Sequence, residues 1–346
     1  MKKNLISKKK EIYSIQKELR DYLARFGRIR EEGIRYEDLL RFDNSISLCD
    51  ETGKDTFWLT VFYPPTEQRE VYEQLRATYA VLKAHSDPAV IEHLDVDRVD
   101  MCTYGNTLPF RVRIINKMNE NIDYFYVKRA DANRVYGLEL EHILSRNRLY
   151  YFLVADTIIE EHIVGIPADM FMRDYLPNNR FDKVRLLKEF VKFNERCLVR
   201  LLGDMHSGNF VVDITRDFEK WHYFIRAIDF DQQSHHWKLN VYRPQFFQQN
   251  NPIIEMGLEL LDVRSVNQYR REERALMAER IKAQRTRLEY LLDVMMVDRI
   301  STNENISRLA KQLAHYYKNT QFLTCECMGE LVNLSLDIVV AEAGNR

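Results

Sequence analysis

Leu202-Gly203-Asp204-Met205-His206-Ser207-Gly208-Asn209-Phe210 and, further on, Ala227-Ile228-Asp229-Phe230-Asp231 are the stretches on which the reading of this 346-residue chain turns. In the first, a carboxylate and a carboxamide stand five residues apart among small, turn-prone residues, directly before the apolar run Phe210-Val211-Val212. In the second, a carboxylate closes the apolar run Tyr223 to Ile228. If the two runs pair as a hairpin, Asp204, Asn209 and Asp229 converge on one opening. Oxygen donors of this kind suit Mg²⁺, which takes few protein ligands and fills its remaining positions with water and phosphate oxygens. A carboxylate beside such a metal can orient or deprotonate a hydroxyl.

Outward from this core the texture changes in both directions. Phe181 to Leu202 carries Val184, Leu186, Leu187, Phe190, Val191, Cys197 and Leu198 at near-helical recurrence, which predicts a central helix. Helices are also predicted over Glu255–Leu261, Val266–Met296, Glu304–Tyr317 and Cys327–Ala343, and a polar linker over Asp213–His222. Upstream, Val99–Tyr104, Phe110–Ile115, Tyr124–Lys128, Tyr150–Val154 and Thr157–Ile163 read as strands, with a helix over Arg134–Arg148. Residues 1–95 read as an accessory segment: an amphipathic helix through Ile12, Ile15, Leu19, Leu23 and Phe26, a strand Thr56–Tyr63, and a helix Glu67–Ala84 ended by Asp87-Pro88.

The quoted motif resembles the catalytic loop and metal-binding segment of the protein-kinase-like fold, nearest the aminoglycoside and choline phosphotransferase branch. That branch commonly shows His-Gly-Asp-x-His-x-x-Asn and then a strand ending in Asp; here Leu202 stands where the leading histidine is usual. The resemblance implies a two-lobed α+β fold: an antiparallel-sheet N-lobe over 96–165, a mainly helical C-lobe over 166–346 with a C-terminal helical extension, and the N-terminal accessory segment in front. It implies ATP and Mg²⁺ as cofactors. Asp204 corresponds by position to the catalytic Asp, Asn209 and Asp229 to the metal-binding pair, and Asp231 to a further acidic contributor. Lys128, ending a strand, corresponds to the lysine that holds the nucleotide phosphates. Glu139 or Glu141 on the following helix corresponds to its partner, with Glu139 the preferred choice. Thr157 to Pro167 is similar to the last small-lobe strand and hinge, so that backbone groups among Glu160, Glu161, His162 and Ile163 would meet the adenine. His206 would brace the loop. The phosphate-covering loop is the poorest match, offering only Gly105.

Composition narrows the classes. With 51 Lys+Arg against 52 Asp+Glu, a formal net charge of -1 and 12% aromatic residues, the chain is neither a nucleic-acid coat nor a disordered polymer. The longest tidy apolar run, Leu149 to Ala155, is too short to span a bilayer. Five scattered cysteines make no disulfide framework, and Cys325-x-Cys327 without a second pair is no zinc clamp. A cytoplasmic protein is expected. After Asp231 there is no Ala-Pro-Glu motif or long activation segment, which points to a small-molecule hydroxyl acceptor rather than a protein; Trp237, Tyr242, Phe246 and Phe247 are candidate walls for it.

Two basic stretches stand apart. Residues 1–30 carry ten Lys/Arg against three Asp/Glu, and residues 264–290 carry eight against four. The first reads chiefly as a helix covering another surface of the same protein or of a sister subunit, the second as a solvated charged helix, and each is open to a protein or other acidic partner. The expected activity is ATP- and Mg²⁺-dependent phosphoryl transfer. The alternatives are a kinase-like pseudoenzyme or nucleotide-binding regulator, favoured by Leu202 and the poor glycine loop, and a nucleic-acid-associated protein using the basic helices.

Overall fold

Alternation builds the sheet. In Phe110–Asn116 the residues Phe110, Val112 and Ile114 are buried, while Arg111 and Arg113 between them keep contact with water. The computed structural model describes residues 10–50, 53–84, 92–177, 181–217 and 220–344. They divide into two units, Met1–Asp131 with Leu149–His162, and Ala132–Arg148 with Ile163–Arg346.

The first unit is sheet-rich. Its strands are β1 (Ile29–Arg30), β2 (Asn44–Cys49), β3 (Asp55–Phe62), β4 (Leu94–Cys102), β5 (Phe110–Asn116), β6 (Ile122–Arg129), β7 (Tyr151–Val154) and β8 (Thr157–Glu161). They form one eight-stranded sheet in the order β1-β7-β8-β6-β5-β4-β3-β2, antiparallel except for the β1/β7 pair. Helices α1 (Lys17–Arg25), α2 (Tyr36–Leu39) and α3 (Pro65–Ala84) complete the unit. Val71, Leu75 and Leu82 of α3 are buried in the core with Val96, Val99, Phe110, Val112, Phe125 and Val127. Arg69 and Glu73, on its other face, pair in solvent.

The N-terminal segment is therefore less separate than the sequence reading expects. Residues before 95 supply β1, β2 and β3 to the same sheet, with Trp58 opposite Cys102 across β3/β4. Left alone, β4 would present an unpaired edge. Of the earlier elements, the Asp87-Pro88 stop lies outside the described residues.

The second unit is mainly helical. It contains α4 (Ala132–Leu144), α5 (Lys183–Arg200), α6 (Asn251–Leu260), α7 (Val263–Ala283), α8 (Arg285–Val297), α9 (Asn303–Tyr317) and α10 (Met328–Gly344), with a small sheet of β9 (Ile166–Pro167), β10 (Phe210–Asp217) and β11 (Lys220–Ala227). The expected polar linker 213–222 is instead mostly strand: Asp213 pairs with Phe224 and Thr215 with His222. The single helix expected over Val266–Met296 breaks at Gln284, whose φ of -121° leaves the helical region.

Helix α4 belongs to this second unit, and its buried polar residues explain why. Asn133, Arg134, Glu139 and Glu141 are all buried, and each needs a partner that water cannot supply. The Asn133 amide donates to the carbonyls of Gln233 (2.7 Å) and Ile300 (3.0 Å). The Tyr136 hydroxyl donates to Asp298 (2.9 Å). Glu139 accepts from Arg287 at 2.6 and 3.2 Å, and Glu141 is paired with Arg200 of α5. Against the upward push of burial, Arg200 and Arg196 hold the Glu141 carboxyl below the ordinary glutamate range.

A carboxyl whose folded pKa is depressed contributes stability above its unfolded pKa and loses it as pH falls through the folded one. Glu141→Gln strands the Arg200 charge in the interior and is expected to cost about 3–5 kcal/mol at pH 7. The gap to the parent protein should narrow below about pH 4, where the glutamate protonates as well. Urea unfolding of both proteins across pH 3–7 checks this; a gap independent of pH would deny the ion pair its role.

Candidate active site

Backbone geometry puts Asp204 in its place. Helix α5 ends on Leu201 in the left-handed conformation (φ 57°), and Leu202, fully buried, bridges to Gln233. The leucine at the usual histidine position is thus a core residue here. Gly203 donates its N–H to the Gln232 carbonyl at 3.2 Å, and a Cβ at this position would lie 3.0 Å from that same oxygen and from Val241. Only glycine fits so close an approach. Asp204 follows with φ 62°, unusual for a residue bearing a side chain, and its N–H donates to the Val241 carbonyl at 3.0 Å.

The loop then closes around the Asp204 carbonyl, which accepts from His206 N–H (2.9 Å) and from Asn209 Nδ2 (2.8 Å). Asn209 in turn donates its N–H to the His206 carbonyl (2.8 Å) and accepts from Ile228 N–H (3.0 Å), which ties the loop to the end of β11. His206 Nδ1 accepts from Gly208 N–H at 3.1 Å, a bracing contact of the kind the resemblance implies. Asn250 holds the far side by donating to the Met205 carbonyl at 3.0 Å.

Three carboxylates meet at this loop. Asp229 Oδ1 accepts from Arg134 Nη1 at 2.8 Å and from Asp231 N–H at 3.2 Å; Asp231 Oδ1 accepts from the same Arg134 nitrogen at 2.8 Å. Arg134 is 1% exposed, so this cation is committed to the pair. The Asp204 carboxylate has no hydrogen-bond or ion-pair partner among the described residues. Burial first, and then the charges of Asp229 and Asp231, push its pKa up to about 7. An unpartnered carboxylate raised to that point is the kind of group that accepts a proton at neutral pH.

Among the described residues no group of three or more His, Cys, Asp or Glu side chains is arranged to hold a metal. The donor set that does exist fits Mg²⁺ in a smaller way. Asn209 turns its nitrogen to the Asp204 carbonyl, which leaves Oδ1 as an available oxygen donor, and the Asp229 side chain keeps 33% of its surface despite its bond to Arg134. Two oxygen ligands are enough when phosphate and water supply the rest.

The remaining expected residues divide between the two units. Lys128, on β6, is buried in the sheet-rich unit and donates to Glu160 of β8 at 3.1 Å. Strand register explains the pair, since Tyr126 sits opposite Glu160 and Lys128 opposite Ile158, making lysine and glutamate diagonal neighbours on one face. Glu139 meets Arg287 within the helical unit. The backbone of Glu160 is flanked by Tyr126 on one side and Tyr151 on the other. Glu161 donates its N–H to the Tyr150 carbonyl. His162 and Ile163 follow the end of β8, and the His162 ring lies against Tyr124 and Tyr126. Gly105 is exposed with φ 99° and open space where a Cβ would be, as a β4–β5 turn requires. Among the aromatic candidates, Tyr242 is buried, donating its hydroxyl to the His236 carbonyl, and Phe247 faces His206 at 6.3 Å between ring centres.

Sequence reasoning missed Arg134 and the side-chain role of Glu160. An arginine two residues into a helix reads as solvated, and nothing local marks it as the counter-ion of residues almost a hundred positions away.

No protein-family profile matches the chain, and no curated protein matches it. Among solved structures it is similar to the autoinhibited serine kinase domain of the giant muscle protein titin, at 13% identity over 70% of this chain and 92% of that one, with a TM-score of 0.31. It is also similar to titin kinase with its flanking domains, at 11% identity over 70% and 54%, with a TM-score of 0.31. So loose a superposition does not bear on the site. Among the described residues no helix is long and apolar enough to cross a membrane.

Gly137 of α4 seats the acidic segment. A Cβ there would lie 2.9 Å from the Phe230 Cβ and 3.2 Å from that of Gln233. Gly137→Ala should therefore force helix and segment apart and destabilise the protein by about 1–3 kcal/mol. Chemical denaturation measures this, and a neutral or stabilising effect would show that the junction has slack.

Proposed function

We propose that the chain is an ATP- and Mg²⁺-dependent phosphotransferase acting on a hydroxyl group, with a small molecule as acceptor. The observation that carries this reading is the Asp204 carboxylate, unpartnered and raised to about 7 beside Asp229 and Asp231, on a loop locked by Asn209. Asp204 would orient the acceptor hydroxyl and take its proton. Asn209 and Asp229 would hold Mg²⁺, which when bound neutralises the transferring phosphoryl group. Asp231 acts through Arg134 in keeping Asp229 aimed. In the sheet-rich unit, Lys128 is the group suited to nucleotide phosphates, and its pairing with Glu160 supports that use: a buried ammonium kept charged by a carboxylate can exchange toward a phosphate oxygen. His162 and Ile163, beyond the last strand, are better supported than Glu160 or Glu161 as backbone contacts for adenine.

Labelled ATP and Mg²⁺ incubated with a metabolite pool test the reading. A labelled product is expected with the parent protein, and Asp204→Asn should reduce its formation by about 10²–10⁴-fold, the ordinary contribution of a positioned base. Transfer that survives the substitution unchanged would reject the assignment.

A second reading, a nucleotide-binding regulator without turnover, is favoured by one observation: Arg134 already pairs with both Asp229 and Asp231 and offsets part of the charge a metal would meet. On that reading ATP binds equally well with and without Mg²⁺, and Arg134→Gln strengthens Mg²⁺ binding. On the enzymatic reading Arg134→Gln misaligns Asp229 and weakens Mg²⁺ binding. Calorimetric titration of Mg²⁺ in the presence of ATP separates the two.

A further inference from the structure

Helix α7 buries Glu273, Met277 and Ala278, and its Asn267, Arg270, Arg271, Arg274 and Ala275 recur at helical spacing along one further face. Between α7 and α10 lies a cavity of about 630 Å³ whose walls include Asn267, Arg270, Arg271, Arg274, Ala275 and Glu342. None of its lining residues belongs to the Asp204 cluster.

Charge in this cavity does not balance. Arg274 is satisfied, pairing with Glu195 at 2.6 Å and with Glu342 at 2.7 Å. Arg270 reaches only the same Glu195, at a loose 3.7 Å. Arg271 donates Nε to the Asn267 carbonyl at 3.3 Å and has no acidic partner among the described residues. Arg243 also lacks one; its guanidinium lies over the Phe246 and Tyr316 rings at 4.5 and 5.4 Å. It sits near enough to Arg270 that, after burial, the charge of Arg270 helps hold its pKa below the ordinary arginine value. Among the described residues the three guanidinium groups of the lining, Arg270, Arg271 and Arg274, thus share two carboxylates, an excess of one positive charge, and Arg243 close to Arg270 adds to the positive field.

We propose that this cavity binds a small phosphate-bearing molecule, with Arg270 and Arg271 gripping the phosphate. The charge excess favours an anion. The guanidinium fork matches two phosphate oxygens at once, and a charge-assisted pair of this kind is about twice as strong as a neutral hydrogen bond. The volume falls within the usual range for small-molecule sites, roughly 300–1,000 Å³. A nucleic-acid backbone would call for basic groups spread along a face instead. The arginine-rich stretch 264–290, which reads in isolation as a solvated charged helix, gains a specific use.

Calorimetric titration of the full chain with inorganic phosphate, in EDTA and at fixed ionic strength, tests the site. One saturable event is expected. Arg271→Gln, at an exposed position that the fold does not depend on, should weaken it by about tenfold or more, the loss of one charge-assisted contact. Arg270→Gln should do the same, and Ala275→Leu should weaken it by filling the cavity. Asp204→Asn should leave it unchanged, which separates this site from the proposed catalytic one. Heat without saturation, equal binding of acetate, or an affinity in the Arg271 and Arg270 variants equal to that of the parent protein would overturn the proposal. A phosphoserine peptide that binds more tightly than phosphate would overturn the small-molecule assignment in favour of a protein partner.

Discussion

Two carboxylates two residues apart, with a third on the adjoining loop, cannot share a small, partly dry volume unless a cation stands among them. In this protein Arg134 is that cation, and much of the helical unit is arranged to keep it there. Its helix is fixed on one side by Asn133 to Gln233 and Ile300, on another by Tyr136 to Asp298, and beneath by Glu139 to Arg287 and Glu141 to Arg200. Gly137 lets the helix approach Phe230 to a distance that no larger residue permits. Each of these contacts is a buried polar group meeting its partner, so the arrangement is all-or-none: moving the helix breaks several bonds that water cannot replace.

The consequence for the site is a division of labour among similar side chains. Asp229 and Asp231 share one guanidinium, while Asp204 is left without a counter-charge and feels both of them. Its loop cannot relax away, because Asp204 occupies a left-handed backbone conformation held by Val241, His206 and Asn209. Strain in the backbone and repulsion in the side chain thus fall on the same residue.

Much of this was legible before any coordinates. Periodicity placed α5, α9 and α10, and the two apolar runs beside the motif do pair as the β10–β11 hairpin on which the reading of Asp204, Asn209 and Asp229 was conditional, with the Ile228–Asn209 backbone bond at its end. What stayed hidden depended on partners distant in sequence. The same glutamates that a local reading assigns to Lys128 find Arg287 and Arg200, and the helix that seems to accompany the sheet is drawn into the helical unit by its buried polar residues. The sheet's full width was hidden for a similar reason: Asn44–Cys49 buries none of its residues, Ile46 included, and is held as a strand by its pairing with β3.

The contrast between Lys128 and Arg134 shows how burial selects among cations. Lys128 sits in a sheet beside the Glu160 carboxylate, and an ammonium on a flexible stem can change partners. Arg134 engages two carboxylates through one nitrogen and, with its helix pinned on several sides, has nowhere else to go. A lysine therefore suits the part that must meet a ligand, and an arginine the part that must hold still. The arginines of α7 extend the same logic, since Arg274 is spent on its two glutamates while Arg271 is left with charge to spare and a cavity to direct it into.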